Sequence, residues 1–133
     1  MSSIPICGVD HIGIRVADVA ASLAFYSLFG FELIARPAGG EVAIIREPGG
    51  VEINFIINAA ADAEPHNVLM DAAIKHPGYT HVALGVADIE ATVRALGEAG
   101  VAISEGPVRL GGGLSLFVRD PDRNVVELRQ RTS

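Results

Sequence analysis

Between Val9 and Ala17 apolar and polar positions alternate: Ile12, Ile14 and Val16 fall on one side, His11, Gly13 and Arg15 on the other. A period of two predicts a half-buried β-strand with His11 on the face turned away from the core. Asp18 then stands where a helix N-cap belongs, an apolar run reaches Phe29, and Gly30 suits the left-handed residue that stops a helix. Strands are expected near 31–36, 41–47 and 51–58, punctuated by Gly and Pro.

The same order returns downstream. HIGIRVAD at 11–18 recurs as HVALGVAD at 81–88, so that His81 follows His11 by 70 residues and Gly100 follows Gly30 by the same step. GGEVAIIREP at 39–48 lies over GGLSLFVRDP at 112–121, a step of 73, and two further residues of slippage lay VEIN (51–54) on VELR (126–129). The second copy therefore predicts Asp88 as cap, Gly100 as stop, and strands near 101–105, 113–119 and 124–130. Each copy reads βαβββ. A first module at 8–58, a connector at 59–78 with a short helix near Val68 to Ile74, and a second module at 79–131 are expected within a single domain spanning 1–133. The fold class is α+β: two tandem βαβββ modules forming a curved mixed sheet, as two four-stranded sheets or one of eight, with the helices on the outer face.

Composition narrows the function. The 133 residues are half hydrophobic, enough for a buried core. A net charge of −6 with only 10 scattered Lys and Arg excludes phosphate-backbone recognition, so no nucleic-acid partner is expected. One cysteine, Cys7, excludes an intrachain disulfide and fits a reducing compartment. No signal sequence and no membrane-length apolar run is visible, and a cytoplasmic location is expected.

The alternation also sorts chemistry. Val51, Ile53 and Phe55 take the packed face of the first module's last strand and Glu52 the other; Val126 and Leu128 pack in the second, with Glu127 opposite. On the strands that open the modules, His11 lies beside Gly13, and His81 beside Ala83 and Gly85, small residues that leave room. Each module thus offers one histidine and one glutamate on its uncovered face. A single strand histidine is most often a hydrogen-bonded structural residue, but matched pairs in two copies suit a divalent metal with open positions for water or substrate. Zn, Ni, Co, Mn and Fe all accept this set, Zn or Ni being favoured.

VDHIGIRVAD, VEIN, YTHVALGVAD and DPDRNVVEL together make the chain resemble the vicinal oxygen chelate superfamily, which includes glyoxalase I, extradiol dioxygenases, methylmalonyl-CoA epimerase and the fosfomycin and bleomycin resistance proteins. The resemblance runs from about Gly8 to Gln130. It implies paired βαβββ modules around a metal-holding cleft, with His11, Glu52, His81 and Glu127 as ligands. That pattern favours the glyoxalase I branch, a lyase or isomerase of lactoylglutathione lyase type. The metal there chelates two substrate oxygens while Glu52 or Glu127 shuttles a proton through an enediolate. The implied partners are a small molecule with adjacent oxygens and a second copy in a homodimer. An extradiol-type dioxygenase and a metal-free binding protein like the bleomycin-resistance branch are the alternatives.

Among other residues, Arg15 shares the open face with His11 and is a candidate for an anionic substrate group. His66 and His76 are expected to be solvated or capping, Arg119 and Arg123 to brace a turn, and Leu23, Phe25, Tyr26 and Phe29 to form core or dimer contact. The Gly111–Gly113 run precedes a strand rather than a helix, which argues for close approach or a mobile flap rather than phosphate binding.

Overall fold

The computed structural model describes residues 3–60 and 64–132. The chain divides into two compact units, residues 1–62 and 63–133, one for each copy of the repeat. In the first unit the order is β1 (Ile12–Arg15), α1 (Val19–Ser27), β2 (Glu32–Ala35), β3 (Val42–Arg46) and β4 (Glu52–Ile56). The second unit runs β5 (His81–Gly85), α2 (Ile89–Glu98), β6 (Ile103–Leu110), β7 (Gly113–Arg119) and β8 (Val125–Arg131). Each unit has its own four-stranded mixed sheet, ordered β1-β4-β3-β2 and β5-β8-β7-β6, so the expectation of two sheets holds over that of one. The strand that opens each unit runs parallel to the strand that closes it; the remaining pairs are antiparallel.

Local chemistry sets both helices. Asp18 accepts from the Ala21 amide, and Asp88 from the amides of Glu90 and Ala91, satisfying donors that a helix start leaves unpaired. The helices stop at Ser27 and Glu98, and Gly30 (φ 87°) and Gly100 (φ 73°) take the left-handed turn beyond them. Helix α1 is apolar nearly all round. Tyr26 is fully buried against Phe31 and Phe55, with ring centroids 5.9 and 5.8 Å away. Phe25 is buried too, which makes this part of the stripe core. Helix α2 is amphipathic and buries Ile89 and Leu96.

The period-two reading of the strands holds at their centres. Ile45, Ile53 and Phe55 in the first sheet and Leu116, Val118, Val126 and Leu128 in the second are fully buried. Each contributes about 1.5–3 kcal/mol by leaving water. Val51, expected on the packed face, is 36% exposed because it precedes the strand. Strand β6 extends to Leu110, beyond the expected 101–105.

The connector differs from expectation. No helix forms at Val68 to Ile74; the chain makes a turn around Asn67, whose Oδ1 accepts from the amides of Leu69 and Met70 while its carbonyl accepts from Asp71. These are cap contacts like those at Asp88, but only one helical turn follows, and Lys75 Nζ donates to the carbonyls of Met70 and Ala72. Asp71 then binds Arg123 (2.7 Å) and Arg119 (3.0 Å), tying the connector to the turn between β7 and β8. Within that turn Asp120, 4% exposed, accepts from the amides of Asp122 and Asn124 and from the Asn124 side chain, and Arg123 takes φ 67°. DPDRN is thus a braced turn that delivers β8, and both arginines brace it as expected.

Candidate functional site

In the second unit β5, β8 and β7 lie side by side, and one row across them reads Ala83, Glu127, Phe117. Pleating puts Ser115, Phe117, Glu127 and Arg129 on the face away from α2, together with His81. His81 Nε2 lies 3.0 Å from Glu127 Oε1, and Phe117 meets the imidazole edge-on at 6.0 Å. Glu127 is 8% exposed. A carboxylate so buried needs partners, and its other oxygen has one: Ser115 Oγ donates to Oε2 at 2.6 Å. Arg129 donates to Ser115 Oγ at 3.0 Å and stands 3.9 Å from Oε2.

The first unit carries the matching row Gly13, Asn54, Ile44. Arg46 faces Glu52, as Arg119 faces Val125. The step of 73 residues seen along β3 and β7 therefore continues into β4 and β8, without the two residues of slippage that laid VEIN on VELR. The sheet position of Glu127 belongs to Asn54, and that of Glu52 to Val125. Asn54 Oδ1 is buried and has no hydrogen-bond partner, because the position of Ser115 is held by Val42 and that of Arg129 by Ile56.

Glu52 nevertheless stands with His11. Asp10, His11 and Glu52 each offer a donor atom, and the three atoms lie within 4.8 Å of one another. Arg46 donates to Glu52 Oε1 at 2.7 Å. His11 Nδ1 lies 2.6 Å from Asp10 Oδ1. A carboxylate accepts only, so this contact puts the imidazole proton on Nδ1 and leaves the Nε2 lone pair for a cation. Thr80 Oγ1 plays the same part at His81 Nδ1, at 2.8 Å. A hydroxyl both donates and accepts, so Thr80 serves either tautomer: one with Nε2–H on Glu127, the other with Nε2 open to a metal.

Each unit thus unites its own histidine and glutamate, with the residue before each histidine holding Nδ1. Arg15 is exposed on the open face and donates to Asn58 Oδ1 at 2.9 Å; Asn58 in turn donates to Glu41. His66, His76 and Cys7 are exposed. Asp10, Thr80, Ser115, Arg129 and Asn54 were not singled out by sequence. Asp10 and Thr80 precede the repeated histidines, Ser115 alternates with Leu116 on β7, and Asn54 emerges if the step of 73 is kept constant.

A family model described as the glyoxalase/bleomycin resistance protein/dioxygenase superfamily matches residues 8–128. The chain belongs to that superfamily. A probable lactoylglutathione lyase from Synechocystis is 33% identical over 129 residues, covering 92% of this chain and 95% of its own. The lactoylglutathione lyase of Haemophilus influenzae is 30% identical over 133 residues, covering 92% of each chain. Among solved structures, a glyoxalase/dioxygenase from Nostoc punctiforme superposes with a TM-score of 0.76 over 100% of this chain and 99% of its own, at 23% identity, which establishes the shared fold. The glyoxalase superfamily is thus the frame for the donor groups above, and the expected βαβββ repeat is its fold. Among the described residues no helix is long and apolar enough to cross a membrane.

Proposed function

We propose that the chain is a glyoxalase-like metalloenzyme, a lyase or isomerase of lactoylglutathione lyase type. Its substrate is a small molecule with two adjacent oxygens, such as the thiohemiacetal of a 2-oxoaldehyde. The ligand set is His11, Glu52, His81 and Glu127, drawn from one chain or from two copies of it, with Zn or Ni the favoured ion. The observation that carries this reading is the repeated pairing of a histidine with a carboxylate, each imidazole held at Nδ1 by the residue before it. Nitrogen and oxygen donors of this kind fit a borderline divalent cation with positions left for substrate.

When bound, such an ion supplies Lewis-acid polarisation of the two substrate oxygens, which acidifies the C–H between them. The residues do the rest. His11 and His81 remain neutral donors, oriented by Asp10 and Thr80. Glu52 or Glu127 takes the substrate proton and returns it to the neighbouring carbon. Glu127 is favoured, since it is buried from water with one oxygen held by Ser115, whereas Glu52 is tied to Arg46. Arg15 binds an anionic group of the substrate.

The test is turnover of 2-oxoaldehyde adducts with glutathione and with other small thiols by protein loaded separately with Zn, Ni, Co, Mn and Fe(II). Thioester formation supports the reading. Protein that binds metal stoichiometrically yet converts none of these adducts overturns it.

A further inference from the structure

The two halves of the repeat are not chemically equivalent, and one cluster shows the difference clearly. In the second unit Glu127, Ser115 and Arg129 form a connected set on neighbouring strands: Ser115 pairs with Arg129 across β7 and β8, and Glu127 lies two residues before Arg129. In the first unit the same three positions are Asn54, Val42 and Ile56, and nothing donates to the buried Asn54 oxygen. The second unit also spends its glycines here. Arg129 donates to the Leu110 carbonyl at 2.8 Å, folding its guanidinium under the β6–β7 turn. A Cβ at Gly113 would sit 2.6 Å from the Gln130 carbonyl and 3.1 Å from Arg129 Cζ, so Gly113 permits the close approach of β8 and of the Arg129 guanidinium.

We infer that Ser115 and Arg129 are positioning residues for Glu127. Arg129, fixed by Leu110, orients the Ser115 hydroxyl; that hydroxyl holds Oε2, so that Oε1 alone is turned to His81 and to whatever His81 binds. The inference rests on the reading of Glu127 as the proton-carrying ligand, and it deepens that reading. Ser115 is fully buried and its hydroxyl donates at 2.6 Å to an acceptor-only partner, so its orientation is fixed by chemistry rather than by packing. Removing the hydroxyl frees Glu127 to rotate and to offer both oxygens.

Ser115→Ala and Arg129→Met test this in the full chain, with far-UV circular dichroism as the control for folding. The first readout is the imidazole ¹⁵N–¹H spectrum of His81 in metal-free protein, which senses Glu127 directly. The second is titration with Co²⁺ alone, followed by its visible absorption bands. Ser115→Ala should shift the His81 ring signals, alter the Co²⁺ bands and weaken Co²⁺ binding about 10-fold, the lower end of what oriented-ligand partners contribute. Arg129→Met should move the same signals in the same direction by less, and decides the matter if Ser115→Ala does not fold. Ser115→Thr, which keeps the hydroxyl, should restore the parent spectra. Folded variants with unchanged His81 signals overturn the inference. Shifted His81 signals in a protein that takes up no Co²⁺ keep Ser115 and Arg129 as the groups that position Glu127 against His81 and overturn the metalloenzyme reading instead.

Discussion

His81 Nε2 and Glu127 Oε1 lie 3.0 Å apart on parallel neighbours β5 and β8, although 46 residues separate them in the chain. His81 pairs in register with Val125, not with Glu127, so the contact is a diagonal one that reaches along the sheet. In the proposed function this pair, held on rigid strands, is half of a metal site, and Glu127 carries the proton.

Glu127→Gln keeps the size of the side chain and removes its basicity. Turnover should fall about 100- to 10,000-fold with the fold intact. Steady-state kinetics on metal-loaded protein checks this, and a Gln variant that is active and fully loaded would remove Glu127 from the chemistry.

Asp10 and Thr80 hold the two imidazoles at Nδ1. Asp10→Ala and Thr80→Val should each weaken divalent-metal binding about 10- to 100-fold while leaving thermal stability nearly unchanged, because both contacts are at the surface. Calorimetric titration with Zn²⁺ measures it. Affinities equal to the parent's would mean that the imidazoles are oriented by the strands alone.

Asn54 carries a buried oxygen without a donor. Replacing it by Leu removes an unsatisfied acceptor, so the metal-free protein should gain about 1 kcal/mol in unfolding free energy. Chemical denaturation gives the value. A loss of similar size would show that the Asn54 amide is satisfied in solution.

Asp71 is held well below the ordinary carboxylate value of 3.8, first by the Arg123 guanidinium, then by the Asn67 amide and the charge of Arg119. A lowered value in the folded state means that the unfolded chain takes up a proton first as pH falls. The stabilisation is therefore complete above 3.8 and is lost as pH drops through the folded-state value. Asp71→Asn should lower Tm at pH 7, and the gap to the parent should narrow in scans below pH 4.

Much of this was written in the chain. The caps Asp18 and Asp88, the stops Gly30 and Gly100 and the alternation around Ile53 and Leu128 are local signals, and local chemistry decides them. Register was harder. VEIN over VELR is the better match of letters, but backbone pairing of Arg46 with Glu52 and of Arg119 with Val125 fixes β4 on β8 two residues differently. A shift of two keeps every side chain on its face, so alternation cannot detect it. Val68 to Ile74 suggested a helix, and Asn67 caps its first turn, yet the carbonyls of Met70 and Ala72 accept from Lys75 Nζ and no helix continues. The Ser115–Arg129 pair was out of reach for another reason: its meaning depends on which strands become neighbours.

In the proposed function the two histidine-bearing strands supply ligands to one divalent ion. The test is the metal content of purified protein by inductively coupled plasma mass spectrometry, measured for the parent, His11→Ala and His81→Ala. About one divalent ion per chain in the parent, lost in both variants, is the expected result. No metal above background, even after incubation with zinc, nickel or iron, would contradict it.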